Sequence, residues 1–207
     1  MFVDVGEVKR PFYLNQPGRI TFTYDGNPRG YFNDRNEVHH DVNPSGFRGP
    51  AFQPKQPGER HLVFLGDSFT FGEGVRNEDV FPEVAARILR GDTEQVEAYN
   101  LGVGGYNTSQ SLDLLKRAGL GMQPDAVILD IVLPKKNGFQ VCRTLKSDPE
   151  LKSKVVIVTA KQQDKDRIWG KRLGADYYLA KPVNPNDLIQ AISPSCTGNC
   201  DRSEIHG

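Results

Sequence analysis

Cysteine is scarce in this chain: there are three in 207 residues, an odd number. That excludes a disulfide framework as the organising principle of the fold. Cys142 sits in a helical pattern and reads as a small buried apolar residue. Cys196 and Cys200 lie in a polar stretch with only His206 nearby, too few ligands for a zinc site. An excess of one charge is also missing, since 26 Lys and Arg face 26 Asp and Glu. Nothing electrostatic therefore favours nucleic acid or an anionic membrane surface as partner. No apolar run approaches the ~20 residues that span a bilayer. The opening segment MFVDVGEVKRPFYLNQ lacks the apolar centre of a secretory signal, so a cytoplasmic location is expected. The remaining composition, 37% hydrophobic and 25% charged, is that of a soluble globular protein.

Residues 1–60 are rich in Gly, Pro, Asn and aromatics and have no helical period. ITFTYD at 20–25 alternates like a strand and DGNPRG marks a turn, so a β-rich extension is expected. His39 and His40 are adjacent and would point to opposite faces of a strand, so they read as ordinary surface or loop residues.

From His61 the pattern becomes a regular alternation of strand and helix. Apolar strands are expected at HLVFL, VEAYNLG, DAVILDIVL, KVVIVTA and DYYLAKP. Between and after them come helical patterns at EDVFPEVAARILR, SQSLDLLKRAGL, GFQVCRTLKSDP, KDRIWGKRLG and NPNDLIQAI. In the first of these, Phe81, Val84, Ala85 and Ile88 form the apolar face. Strands apolar on both faces imply a parallel sheet covered by helices. The expected fold is a three-layer α/β/α, flavodoxin-like, doubly wound sheet of order 2-1-3-4-5, with its functional groups at the carboxyl ends of strands 1 and 3. The domain reading is an extension at 1–60, one α/β domain in two halves at 61–123 and 124–192, and a patternless, disordered tail at 193–207.

The first half carries LGDSFTFGEGV after one strand and NLGVGGYNT after the next, preceded upstream by NPSGFRG. These segments resemble the SGNH/GDSL hydrolase family. The resemblance implies Ser68 as a nucleophile just past a strand end. The amides of Ser68 and Gly105 would form the oxyanion hole. The sequence departs from the family in two places: the G-x-N-D segment after the third strand and the late D-x-x-H motif are both missing. A carboxylic ester hydrolase built this way would be impaired.

The second half carries PDAVILDIVLPKKNGFQVCRTLK, VVIVTAK and GADYYLAKPV. In motif and in order these resemble response-regulator receiver domains. The resemblance implies Asp130 as phosphoacceptor, Thr159 as the hydroxyl that contacts the phosphoryl group, Lys181 as the cation, and Gly138 as the turn after the acceptor. It also implies Mg²⁺, held by Asp67, Asp130 and the backbone carbonyl of Val132. Receivers place two acids at the end of strand 1; here that end reads Gly66-Asp67, so weak metal affinity is expected. The composite is therefore chimera-like, with strands 1 and 2 resembling one family and strands 3 to 5 the other. The expected function is a phosphoacceptor module of a phosphorelay; the alternatives are an impaired esterase or acyl hydrolase using Ser68 and an inactive composite of the two folds. Its expected partners are a histidine kinase or small phosphodonor and a downstream protein, with neither nucleic acid nor membrane.

Overall fold

The computed structural model describes residues 17–23, 35–91, 95–131, 146–147, 153–160 and 174–193. Near the start, β1 (Gly18–Thr23) and β2 (Glu37–Val42) pair antiparallel, from Gly18 opposite Val42 to Thr23 opposite Glu37. Among the described residues, the β-rich extension thus contains an antiparallel strand pair. An isolated bridge from Val42 to Arg48, and another from Arg48 to Asn100, lead from it to the main sheet.

The main sheet follows the expected alternation. β3 (Arg60–Gly66) leads through the single turn α1 (Ser68–Phe71) and a 3₁₀ turn at Asn77–Asp79 into α2 (Phe81–Arg90). Next come β4 (Val96–Gly102) and α3 (Thr108–Leu114), which continues as irregular helical turns to Met122. The described chain is completed by β5 (Ala126–Ile131), β6 (Lys154–Thr159), β7 (Tyr177–Ala180) and α4 (Pro185–Ile192). The strand order is β4-β3-β5-β6-β7, and every neighbouring pair is parallel. This is the doubly wound 2-1-3-4-5 order, with β3 as strand 1.

Both faces of the sheet are buried, because successive residues of each strand alternate between two cores. Val63, Leu65, Leu101, Val127, Leu129 and Ile157 pack on one side with Leu114 and Leu115. Leu62, Phe64, Ala98, Ile128 and Val156 pack on the other with Ala85, Leu89, Leu188 and Ile192. Asn107 caps α3 through its side chain, and Gln110 returns the bond to its backbone, which explains why the helix starts there.

Two expectations are corrected. In α2 the buried stripe is Pro82, Ala85, Ala86 and Leu89, while Ile88 is 42% exposed. Two stripes one residue apart share the helical period, and the one with the paired alanines lets the helix approach the sheet closely. His39 and His40 do face opposite ways, but His40 is fully buried. Its ring lies against Phe22 at 4.6 Å and Phe71 at 5.4 Å between centroids. Burial, followed by the nearby Arg48 charge, lowers its pKa to about 4. The helices expected at 138–149 and 165–174, together with Gly138, Cys142, Cys196, Cys200, His206 and the tail after Ser193, lie largely or wholly outside the described residues.

Candidate functional site

Asp130 is the last residue but one of β5 and stands opposite Val158 of β6. Thr159 ends β6 and is buried, and its carbonyl accepts from the backbone N–H of Lys181 at 2.8 Å. Lys181 follows β7, and its Nζ donates to Asp130 Oδ2 at 2.7 Å. The lysine stem therefore crosses the end of β6 to reach the acid on β5. The side chains of Asp130 and Lys181 thus meet, and Thr159 ends the strand between them with its carbonyl on the Lys181 N–H, at the edge where an α/β sheet places its chemistry.

The Asp130 side chain is only 8% exposed. Oδ2 also accepts from Thr70 Oγ1 at 3.3 Å, whereas Oδ1 is buried with no partner among the described residues. Burial raises the Asp130 pKa above the usual carboxylate range, and the negative charge of Asp67 adds to the rise. The Lys181 hydrogen bond and charge, and the Thr70 hydroxyl, oppose it without cancelling it. Asp67 itself caps α1, its Oδ1 accepting from Phe69 N–H at 3.0 Å. Lys181 Nζ lies 4.6 Å from the centre of the Phe69 ring, which is 70% exposed.

The surroundings of Gly66 leave no room for a side chain. A Cβ on it would lie 2.1 Å from Thr70 Oγ1 and 2.8 Å from Asp130 Cβ. A Cβ on its β4 neighbour Gly102 would lie 2.3 Å from Phe71 N. The two glycines let α1 sit directly on the strand ends. An orphaned, buried carboxylate oxygen on Asp130 and a second carboxylate at Asp67 fit a hard divalent cation, which needs only one or two carboxylates besides water and phosphate oxygens. No group of three or more His, Cys, Asp or Glu suited to a metal occurs among the described residues, and Val132 lies outside them.

The hydrolase-like residues are placed but not assembled. Ser68 opens α1 and is half-buried, and its hydroxyl has no hydrogen-bond partner among the described residues. Gly105 is exposed in the left-handed region at φ 78°, with open space beside it. None of the described histidines is hydrogen-bonded to Ser68. His61 is held near the opposite end of β3, its Nδ1 2.7 Å from Met122 O and its Nε2 3.1 Å from Glu59.

Sequence reasoning missed three residues that fix the site. Asn100 Nδ2 donates to Thr70 O at 2.9 Å. Arg48, 2% exposed, donates to the carbonyls of Phe71, Gly72 and Val75 and to Asn77 Oδ1. Asn77 in turn donates to Asp41 at 2.7 Å. α1 is thereby held from β4 on one side and from the extension on the other. The only hint in the sequence was NPSGFRG, where Asn43 Oδ1 accepts from Ser45 N–H at 3.0 Å and Phe47 N–H at 3.2 Å. That tight turn brings Arg48 inward.

Comparison with known proteins adds the following. The family model for the response regulator receiver domain matches residues 85–193, just over half of the chain. The match starts within α2 and leaves out β3, the strand that ends at Gly66 just before Asp67. The chain is 38% identical to Protein PilH of Pseudomonas aeruginosa over 120 residues, covering 55% of this chain and 99% of PilH. It is also 38% identical over 96 residues to RpaA of Synechocystis, a DNA-binding dual master transcriptional regulator, covering 45% of this chain and 40% of that protein. Among solved structures, the signal receiver domain of a DNA-binding response regulator from Colwellia psychrerythraea matches with TM-score 0.46 and 22% identity, over 65% of this chain and 95% of that one.

Proposed function

The chain belongs to the response regulator receiver domain family, and from that premise we propose that it is a phosphorelay module phosphorylated on Asp130 by a histidine kinase or a small phosphodonor. The observation that carries this is the 2.7 Å contact of Lys181 Nζ with Asp130 Oδ2, which supplies a fixed positive charge beside a buried carboxylate. A carboxylate oxygen of Asp130 attacks phosphorus, and the bond from phosphorus to the donor's imidazole nitrogen or acyl oxygen breaks. Lys181 holds the acid and offsets the added negative charge. Thr159, ending the neighbouring strand, supplies a hydroxyl to a phosphoryl oxygen. Bound Mg²⁺ supplies charge neutralisation on the phosphoryl oxygens, and Asp67, Asp130 and the Val132 carbonyl are the groups that would hold it.

On this reading residues 61–123 and 124–192 are two halves of one domain, since β3 lies between β4 and β5 and pairs with both. The described part of the extension braces it through Arg48, which donates to Phe71 O, Gly72 O and Asn77 Oδ1. The exposed Phe69 ring beside Lys181 is a surface that a downstream protein can read.

The test is incubation of the full chain with Mg²⁺ and acetyl phosphate, followed by intact mass. The expected result is a gain of about 80 Da that is absent from Asp130→Asn. No gain, or a gain that survives the substitution, overturns the reading. Ester hydrolysis through Ser68 is tested separately with a short-chain p-nitrophenyl ester. The site supports equal rates for wild type and Ser68→Ala, because no described histidine is bonded to the serine.

A further inference from the structure

We propose that Thr70, on α1, is a positioning residue for Asp130: its hydroxyl fixes Oδ2 and leaves Oδ1 as the oxygen that receives a ligand. The proposal rests on Asp130 being the acceptor.

Four observations converge on Thr70. It is 2% exposed. Its hydroxyl donates to Asp130 Oδ2, the same oxygen that takes Lys181. It also fills the space over Gly66, as its Oγ1 and Cβ lie 2.1 and 2.9 Å from where a Cβ at that position would be. Finally, its backbone is immobilised, because Asn100 holds its carbonyl while Arg48 holds those of Phe71 and Gly72. A neutral hydroxyl donor thus occupies the space over Gly66, beside the Asp130 carboxylate. With two donors on Oδ2 and none on Oδ1 among the described residues, the carboxylate is oriented before any ligand arrives. The groups that act on Asp130 are Lys181 after β7, Asp67 between β3 and α1, and Thr70 itself.

A hydroxyl that donates to a carboxylate favours its charged form, so removing it raises the proton affinity of Asp130. At 3.3 Å the bond is long, and its loss should change that affinity by between about twofold and tenfold. The experiment follows the Asp130 carboxyl by ¹³C NMR titration of the full chain, without metal or phosphodonor, using Asp130→Asn to assign the signal. Thr70→Val removes the hydroxyl at constant shape, and Thr70→Ser retains it. The midpoint should move to higher pH in Thr70→Val and stay at the wild-type position in Thr70→Ser. The acid limb of labelling by acetyl phosphate should move with it. If Thr70→Val does not fold, Thr70→Ala carries the same expectation. Identical midpoints in wild type and the hydroxyl-free variant, or a Thr70→Ser midpoint that moves with it, overturn the proposal. If the midpoints behave as expected but no protein is labelled, the phosphoacceptor reading fails and the role of Thr70 in orienting Asp130 stands.

Discussion

Replacing Gly66 with aspartate would set a second acid beside Asp67, and the packing around Gly66 opposes it. A Cβ at this position meets Thr70 Oγ1 at 2.1 Å, Asp130 Cβ at 2.8 Å and Thr70 Cβ at 2.9 Å. Non-bonded carbons sit at roughly 3.5–4.0 Å. The Thr70 hydroxyl can rotate, but Asp130 Cβ and Thr70 Cβ are fixed to their backbones, and the Thr70 backbone is held at its carbonyl by Asn100. Overpacking of this kind costs about 1–3 kcal/mol. Gly66→Ala isolates this steric part, and in a chain of this size it should lower Tm by roughly 2–12 °C. Gly66→Asp should lower it further, because a third carboxylate enters a site where burial and Asp67 already raise the Asp130 pKa. Thr70→Ala removes the nearest clash but leaves the contacts at 2.8 and 2.9 Å. The double variant should therefore recover part of the loss, with a coupling of about 0.5–3 kcal/mol. The assay is thermal unfolding by circular dichroism, with and without Mg²⁺. A Gly66→Asp protein at least as stable as wild type, with a Tm that now rises with Mg²⁺, would refute the reasoning.

Three further outcomes are expected. Arg48→Met should destabilise by about 3 kcal/mol or more, read by urea unfolding, because several buried carbonyls and Asn77 lose their donor together. Lys181→Met should cost about 1–3 kcal/mol at neutral pH, a figure reduced from that of a fully buried pair because the lysine side chain is 26% exposed. Asp130 already has a raised folded pKa, and losing Lys181 raises it further, so this cost should shrink as pH falls and the acid protonates. His40 has the opposite sign: its folded pKa of about 4 lies below the ordinary 6.5. Stability should fall as pH drops from 6.5 towards 4, by up to about 3 kcal/mol, and His40→Leu should remove that part of the acid limb.

The sheet was legible because its strands are apolar on both faces, so periodicity alone separated them from the helices. Strand order followed from the alternation of elements, and the positions of Asp130, Thr159 and Lys181 at strand ends from the resemblance of three motifs to receiver domains. The closer details depended on tertiary contacts. Ile88 and Leu89 lie on rival stripes of one period, and only the approach of Ala85 and Ala86 to the sheet chooses between them. His40 reads as a polar residue in a hairpin, and its burial needs Phe71 from a segment about thirty residues on. Thr70 is one hydroxyl in GDSFTF and gains meaning only when β5 brings Asp130 beneath it. Arg48 looks like a surface arginine until the Asn43 turn points it at the carbonyls after α1.

The central claim is that Asp130 is the acceptor. The direct measurement is to treat the full chain with Mg²⁺ and acetyl phosphate, reduce it with borohydride, and map the peptides by mass spectrometry. Borohydride converts an aspartyl phosphate to homoserine, so a trapped residue reports the site of attack. Homoserine is expected at position 130 alone, lost without phosphodonor and diminished in Lys181→Met. Reduction at position 67, or at no aspartate, would contradict it.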